Sequence, residues 1–274
     1  MQNKTLFCIL VAFLFSACSK YYRFDELYDR GNYVKAFALL GEIRSKNEIH
    51  YQRRYLRVVI RMALDGDADF INLLRTVVTN EYTNVLRQYT EFGSNYILFM
   101  DARSPDDYLT VISNFQNIKE TPEEFLSYAY KMRGIAYFRT TGYEDAIEDF
   151  NRSYRIIPYV DNFYYLGACY LELRDYKQSF NYFNRLLNST RDNFYKGLAL
   201  FGIGEIYYSE AKYRDALESY LESANYYSEN ADCTYKIARC LEKLKYNRIT
   251  PKFYKISLRI QKDYASAWYF LNIN

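Results

Sequence analysis

The sequence predicts an all-α chain in which antiparallel helix pairs stack one upon the next. Two observations carry that prediction. The first is a short pattern that returns along the chain. Gly142-Tyr143-Glu144-Asp145-Ala146-Ile147 is followed by Asp175-Tyr176-Lys177-Gln178-Ser179-Phe180 and Lys212-Tyr213-Arg214-Asp215-Ala216-Leu217. Asn32-Tyr33-Val34-Lys35-Ala36-Phe37 repeats it near the N-terminus. Each copy runs turn residue, Tyr, two polar residues, a small residue and an apolar one. A period of roughly 33–37 residues belongs to stacked helical repeats. The second observation is a glycine, Gly134, Gly167 or Gly204, at one register inside each helical pattern upstream. Gly costs a helix about 1 kcal/mol relative to Ala. A cost repeated at one register predicts two helices too close for a larger residue.

Ala146, Ser179 and Ala216 are the matching small positions on the second helix of each pair. Tyr137, Tyr170 and Tyr207 are expected to fill the space between neighbouring pairs. One pair cannot bury its own apolar face, so stacking stabilises the array. A fourth pair is weaker: Ile237 and Ala238, then a helix start at Thr250-Pro251, with Tyr254 and Ser257 beyond. Trp268 and Leu271 place a short closing helix over Ala265 to Asn274.

The residues around each copy resemble the tetratricopeptide repeat, a helical hairpin of about 34 residues. Tyr130, Gly134 and Tyr137 stand before Tyr143; Ala146, Phe150, Ser153 and Pro158 stand at or after the second-helix places. Phe163, Leu166, Gly167, Tyr170 and Phe183 repeat the order, as do Leu200, Ile203, Gly204, Tyr207 and Tyr220. The resemblance implies a right-handed superhelical solenoid with a concave face made by the first helices. Three domains follow: a leader over 1–17, worn helical repeats over 18–120, and the repeat array with its cap over 121–274.

The N-terminal region reads in order. Met1 to Lys4 carries one positive charge, Leu6 to Phe15 is apolar, and Ser16-Ala17-Cys18 closes the run with small residues. That is the layout of a secretory signal, too short for a permanent span. Phe15-Ser16-Ala17-Cys18 resembles a bacterial lipobox, whose Cys becomes the lipidated first residue; Phe15 departs from the usual Leu. The alternatives are a signal cleaved at Ala17 and an uncleaved anchor. The lipobox implies a chain lipid-anchored in the bacterial cell envelope, on the periplasmic side of a membrane or at the surface. More than one acyl chain makes such anchoring stable.

Arg23 to Arg30, Gly31-Asn32 and Tyr33 to Arg44 read as helix, turn and helix; His50 to Ala63 and Asp69 to Val78 read as another hairpin. Asp65-Gly66-Asp67-Ala68-Asp69 fails as an EF-hand loop, because Phe70 and Thr76 take the places of its Gly and Glu. A turn with a helix cap is expected instead. Glu81 to Met100 is helical, with Gly93-Ser94 a candidate break. Ser104-Pro105-Asp106-Asp107 and Thr121-Pro122-Glu123-Glu124 are helix starts, and Glu124 fits a capping box. Arg53, Arg54, Arg57 and Arg61 read as one solvated helix face, with a lipid headgroup or acidic partner as the minority reading.

Charge excludes one class of partner. Removing 1–17 takes Lys4 and no acid, so 36 basic and 33 acidic side chains become 35 and 33, a net of +2. No concentrated basic face for nucleic acid results. The single His50 argues against His-based metal sites and His-assisted nucleophiles, and no phosphate-cradling Gly loop occurs. No cofactor, metal or catalytic residue is assigned, and the chain is not read as an enzyme. Of five cysteines, Cys8 leaves with the leader and Cys18 is the lipid site. Cys169 and Cys240 share a repeat register and read as packing residues, and Cys233 lies seven residues before Cys240 on the same helix. Cys233 and Cys240 are separated by about 10.5 Å of helix, beyond disulfide reach.

Carried onto this chain, the concave places of the tetratricopeptide family include Tyr128, Lys131, Ile135, Phe138 and Arg139, then Asp161, Tyr164 and Glu172. Phe201, Glu205 and Tyr208 follow on the third first helix, and Asp232, Tyr235, Arg239 and Glu242 on the fourth. Tyr128, Lys131, Tyr164, Phe201, Tyr208, Tyr235 and Arg239 are the candidate contact residues. Tyr164, Phe201 and Tyr235 share one place and would form an aromatic ladder; the competing reading is packing, in a chain with 33 tyrosines. Ile135 replaces the Asn of the family's carboxylate clamp, which excludes that mode. The expected function is a scaffold for a protein or peptide partner. The alternative is a lipoprotein holding an apolar small molecule beside a transporter.

Overall fold

Six helix-to-helix turns among the described residues each hold one residue in the left-handed backbone region. In the computed structural model, which describes residues 20–43, 49–78, 86–116, 118 and 121–261, the hairpins of the C-terminal half use ordinary residues there. Thr141, Arg174, Ala211 and Lys245 have φ of 65°, 59°, 59° and 65°. The next residue's N–H reaches back over the turn: Gly142 to Tyr137 O at 2.8 Å, Asp175 to Tyr170 O at 2.9 Å, and Lys212 to Tyr207 O at 2.9 Å. This backbone closure satisfies helix-end carbonyls. In the N-terminal hairpins glycine takes the same role, Gly31 at φ +75° and Gly66 at φ +86°. The left-handed position therefore lies one residue before Gly142, and Gly142 is not the turn's strained residue.

The described residues are helical and contain no strand. The chain divides into two units, 1–129 and 130–274. The first holds α1 (20–29), α2 (Tyr33–Gly41), α3 (Ile49–Leu64), α4 (Ala68–Val77), α5 (Arg87–Asp101) and α6 (Pro105–Asn114). A 3-10 turn, Glu123–Phe125, then leads into α7 (Leu126–Arg139). The second unit pairs α7 with α8 (Tyr143–Ile156), α9 (Asp161–Glu172) with α10 (Tyr176–Ser189), and α11 (Asn193–Ser209) with α12 (Tyr213–Tyr226). Its last described pair is α13 (Ala231–Lys243) with α14 (Thr250–Ile260). The leader with Cys8 and Cys18, and the closing helix expected over 265–274, lie outside the described residues.

Three expectations in the first unit need correction. Helix α5 continues through Gly93-Ser94, because Gly93 is where α4 comes close: a Cβ there would meet Val78 at 2.9 Å and Leu74 at 3.1 Å. Glu124 does not cap α7. The chain enters by the 3-10 turn with no side-chain cap, and Glu124 is bound elsewhere. The arginines of α3 are not a solvated face. Arg54, Arg57 and Arg61 are half-buried and paired with Asp25, Glu124 and Asp65, and Arg53 alone is exposed. Hydrophobic periodicity marks the outer side of a helix but cannot tell that acidic side chains from before and after it in the chain will cover it. The turn at Asp65 to Asp69 is as expected: the Asp67 carboxylate accepts from the N–H of Asp69 at 3.0 Å and caps α4.

In the second unit one ring per hairpin sets the packing. Phe150, Phe183, Tyr220 and Tyr254 sit at corresponding places on the second helices and are essentially fully buried. Each faces the small residue of its own first helix. A Cβ on Gly134 would meet Phe150 at 3.0 Å, one on Gly167 would meet Phe183 at 2.8 Å, and one on Gly204 would meet Tyr220 at 2.6 Å. Ala238 packs with Tyr254 in the fourth pair. The close approach is thus first-helix backbone against second-helix ring. The small second-helix residue reinforces it, as Ser179 Oγ donates to Gly167 O at 2.8 Å.

The repeating tyrosines divide their roles. Tyr207 does cross between pairs, with its ring 6.2 Å from Phe180 of α10. Tyr170 instead stacks on Tyr182 of its own pair at 5.5 Å. Tyr137 lies over Gly142, whose Cβ would meet its ring at 3.2 Å.

Candidate recognition face of the second unit

The first helices α9, α11 and α13 and residues 130–139 of α7 carry the candidate residues. Lys131 of α7 forms an ion pair with Asp161 of α9, both about one-fifth exposed. The Lys131 ammonium also lies 5.3 Å from the Tyr159 ring, a favourable placement for a cation. Glu205 of α11 has an equivalent role in the following repeats. It accepts a hydrogen bond from the buried Tyr220 hydroxyl and another from Lys236 Nζ of α13 at 2.6 Å. Both pairs tie consecutive first helices together.

The ladder positions are half-buried rather than free. The Tyr164 ring lies 6.4 Å from Phe183 and 5.3 Å from Tyr165. Phe201 lies 5.5 Å from Tyr220, and Tyr235 lies 5.7 Å from Tyr254. Each therefore stands beside the second-helix ring of its own hairpin. Burial raises the Tyr164 hydroxyl above its usual pKa, the Arg139 charge opposes this, and the Asp232 charge adds to it.

Tyr208 meets Tyr213 edge-on at 5.4 Å, with Lys236 Nζ 5.2 Å from its ring. Arg239 hydrogen-bonds Tyr208 and pairs with Glu242 at 3.2 Å. Tyr128 is not brought to this face. It falls in the first unit, where its hydroxyl accepts from Arg61.

Motif places alone give Asp161, Glu205 and Lys236 too little weight. Lys131 and Asp161 are 30 residues apart, and Glu205 and Lys236 are 31 apart. Opposite charges at about one repeat spacing are a signal that could have found them. Cys169, Cys233 and Cys240 are buried free thiols, and burial pushes them up to about 12, 11 and 12. Such thiols carry almost no reactive thiolate at neutral pH. Among the described residues no group of three His, Cys, Asp or Glu side chains could hold a metal ion. Among the same residues no helix is long and apolar enough to cross a membrane.

A tetratricopeptide repeat model matches residues 161–189, which are α9 and α10. No curated protein sequence matches the chain. Solved structures do. The apo quorum sensor NprR from B. thuringiensis superposes with a TM-score of 0.66 at 16% identity, covering 93% of this chain and 80% of that one. Apo RapI superposes with a TM-score of 0.61 at 12% identity, covering 90% and 76%. YrrB, a TPR protein described as having an unusual peptide-binding site, gives a TM-score of 0.44 at 18% identity, covering 78% and 97%. For NprR and RapI, at these identities, the likeness is one of fold.

Proposed function

We propose that this tetratricopeptide repeat protein is a lipid-anchored, non-catalytic scaffold that binds a protein or peptide segment along the first-helix face of its second unit. One observation carries the reading. Successive first helices present partly exposed rings, Tyr164, Phe201, Tyr208 and Tyr235, between ion pairs that hold the helices in register. Rings fixed in this way bring large contact area at little entropic cost, which is what a binding anchor needs.

Affinity purification from detergent-solubilised envelopes tests it. The double variant Tyr164→Ala, Tyr208→Ala is expected to lose partner recovery about tenfold or more, the scale of two anchor residues, with its circular dichroism spectrum unchanged. Absence of a stoichiometric protein in the wild-type sample would contradict the reading. A co-purifying apolar small molecule in native mass spectra would support the transporter-accessory alternative instead.

The anchor is proposed from the N-terminal sequence, Phe15-Ser16-Ala17-Cys18 behind a short apolar run. Cys18→Ala is expected to move the protein from the membrane to the soluble fraction. Unchanged membrane association would overturn lipidation at that residue.

A further inference from the structure

The first unit holds a cavity of about 650 Å³, lined by Arg53, Arg57, Gln88, Tyr89, Pro122, Glu123 and Glu124. One carboxylate already occupies its inner wall. Glu124 accepts from Arg57 Nε at 2.9 and 3.0 Å, from the Tyr89 hydroxyl at 3.1 Å and from the Tyr28 hydroxyl at 3.1 Å. Four contacts from three donors make a built carboxylate cradle, and they explain why Glu124 gives up its helix-capping role.

Arg53 is the cradle's remaining cation. Its Nε donates to the Tyr89 hydroxyl at 3.3 Å, and its guanidinium lies 5.7 Å from the Tyr89 ring. Among the described residues no carboxylate lies within ion-pair distance of Arg53. It is exposed, as are Gln88 and Glu123. The Arg57 charge is answered by Glu124 and, at 3.8 Å, by Asp25. The opposing charge left on the rim is Glu123.

We propose that this cavity binds a carboxylate carried by an acidic peptide segment. Arg53 and Gln88 receive it, and Glu124 is the internal group that competes with it for the arginine wall. A planar guanidinium fork matches a carboxylate better than it matches a point charge. The site lies between α3, α5 and the Pro122–Glu124 turn and offers one exposed arginine rather than a basic face, which favours a single carboxylate over a lipid surface.

Fluorescein-labelled decaglutamate is the probe, and its binding to the full chain is followed by anisotropy. Arg53→Gln is expected to weaken binding about tenfold, the scale of one lost charge pair. Glu124→Gln is expected to tighten it several-fold, because the internal competitor loses its charge. Should Glu124→Gln fail to fold by circular dichroism, Glu123→Gln at the exposed rim is expected to tighten binding in the same direction. Tyr164→Ala, on the second unit, is expected to leave decaglutamate affinity unchanged, which separates this site from the proposed recognition face. No binding up to about 1 mM, equal affinity for Arg53→Gln, or no tightening in a folded Glu124→Gln or Glu123→Gln variant would each overturn the proposal. So would Arg53-dependent capture of phosphatidylglycerol vesicles without decaglutamate binding, which would assign the site to a lipid headgroup.

Discussion

Replacing Phe183 with Ala is expected to lower the unfolding free energy of the full chain's second unit by about 3–5 kcal/mol, the usual cost of emptying a core aromatic site. The ring is 1% exposed and touched from two sides. On one side is Gly167 of its own hairpin; on the other is Gly202 of the next. A Cβ at either glycine would run into it. Gly202→Ala should therefore also destabilise, although Ala is the better helix former by about 1 kcal/mol, because overpacking costs about 1–3 kcal/mol. The pair Gly202→Ala, Phe183→Leu should recover some of that loss, since the smaller side chain leaves room for the methyl group. Urea unfolding gives these numbers directly. A Phe183→Ala loss below about 1 kcal/mol would mean that the ring does not join the two hairpins.

The second large effect is alkaline unfolding. Burial raises the hydroxyls of Tyr165, Tyr220 and Tyr254 far above their ordinary value of 10.0, and Asp161, Glu205 and Glu242 add to the respective shifts. A group whose pKa is raised in the folded state stabilises fully below its unfolded value. Its contribution is lost as the pH climbs from there toward the folded value. Each such tyrosine removes about 1.4 kcal/mol per pH unit above 10. The three together remove about 3 kcal/mol from the second unit between pH 10 and about pH 11, added to what the buried cysteines remove. Tyr220→Phe should flatten the total slope by about 1 kcal/mol per pH unit, because it removes one buried hydroxyl that stays protonated in the folded chain. An unfolding free energy that stays flat across this range would contradict the burial of these hydroxyls.

The sequence made the second unit readable because its packing repeats. Gly134, Gly167 and Gly204 mark the same close approach three times, and Tyr143, Tyr176 and Tyr213 mark the start of the helix that makes it. The partner of those glycines was less legible. Small residues on the second helix were the expected match, whereas Phe150, Phe183 and Tyr220 supply the surface that a Cβ would strike. A large ring and a missing side chain are complementary in space but carry no local pattern.

The first unit was harder for a related reason. Arg54 pairs with Asp25 across 29 residues, and Arg57 pairs with Glu124 across 67. Those spacings lie near one and two repeats, but the worn hairpins of the first unit mark no register from which to read them, so a helix bearing four arginines reads as a solvent face. Glu124 shows the same limit. Its local sequence fits a capping box, and the tertiary donors Arg57, Tyr28 and Tyr89 outweigh that local preference.

Photo-crosslinking tests the central claim most directly, that first helices of the second unit form the recognition face. Benzoylphenylalanine would replace Tyr164 of α9 or Tyr208 of α11, with exposed Glu148 of α8 and Glu218 of α12 as second-helix controls. The account predicts one protein partner trapped from Tyr164 and Tyr208 and none from the controls. Equal crosslinking from Glu148 and Glu218, or none from the two tyrosines beside a bound partner, would contradict it.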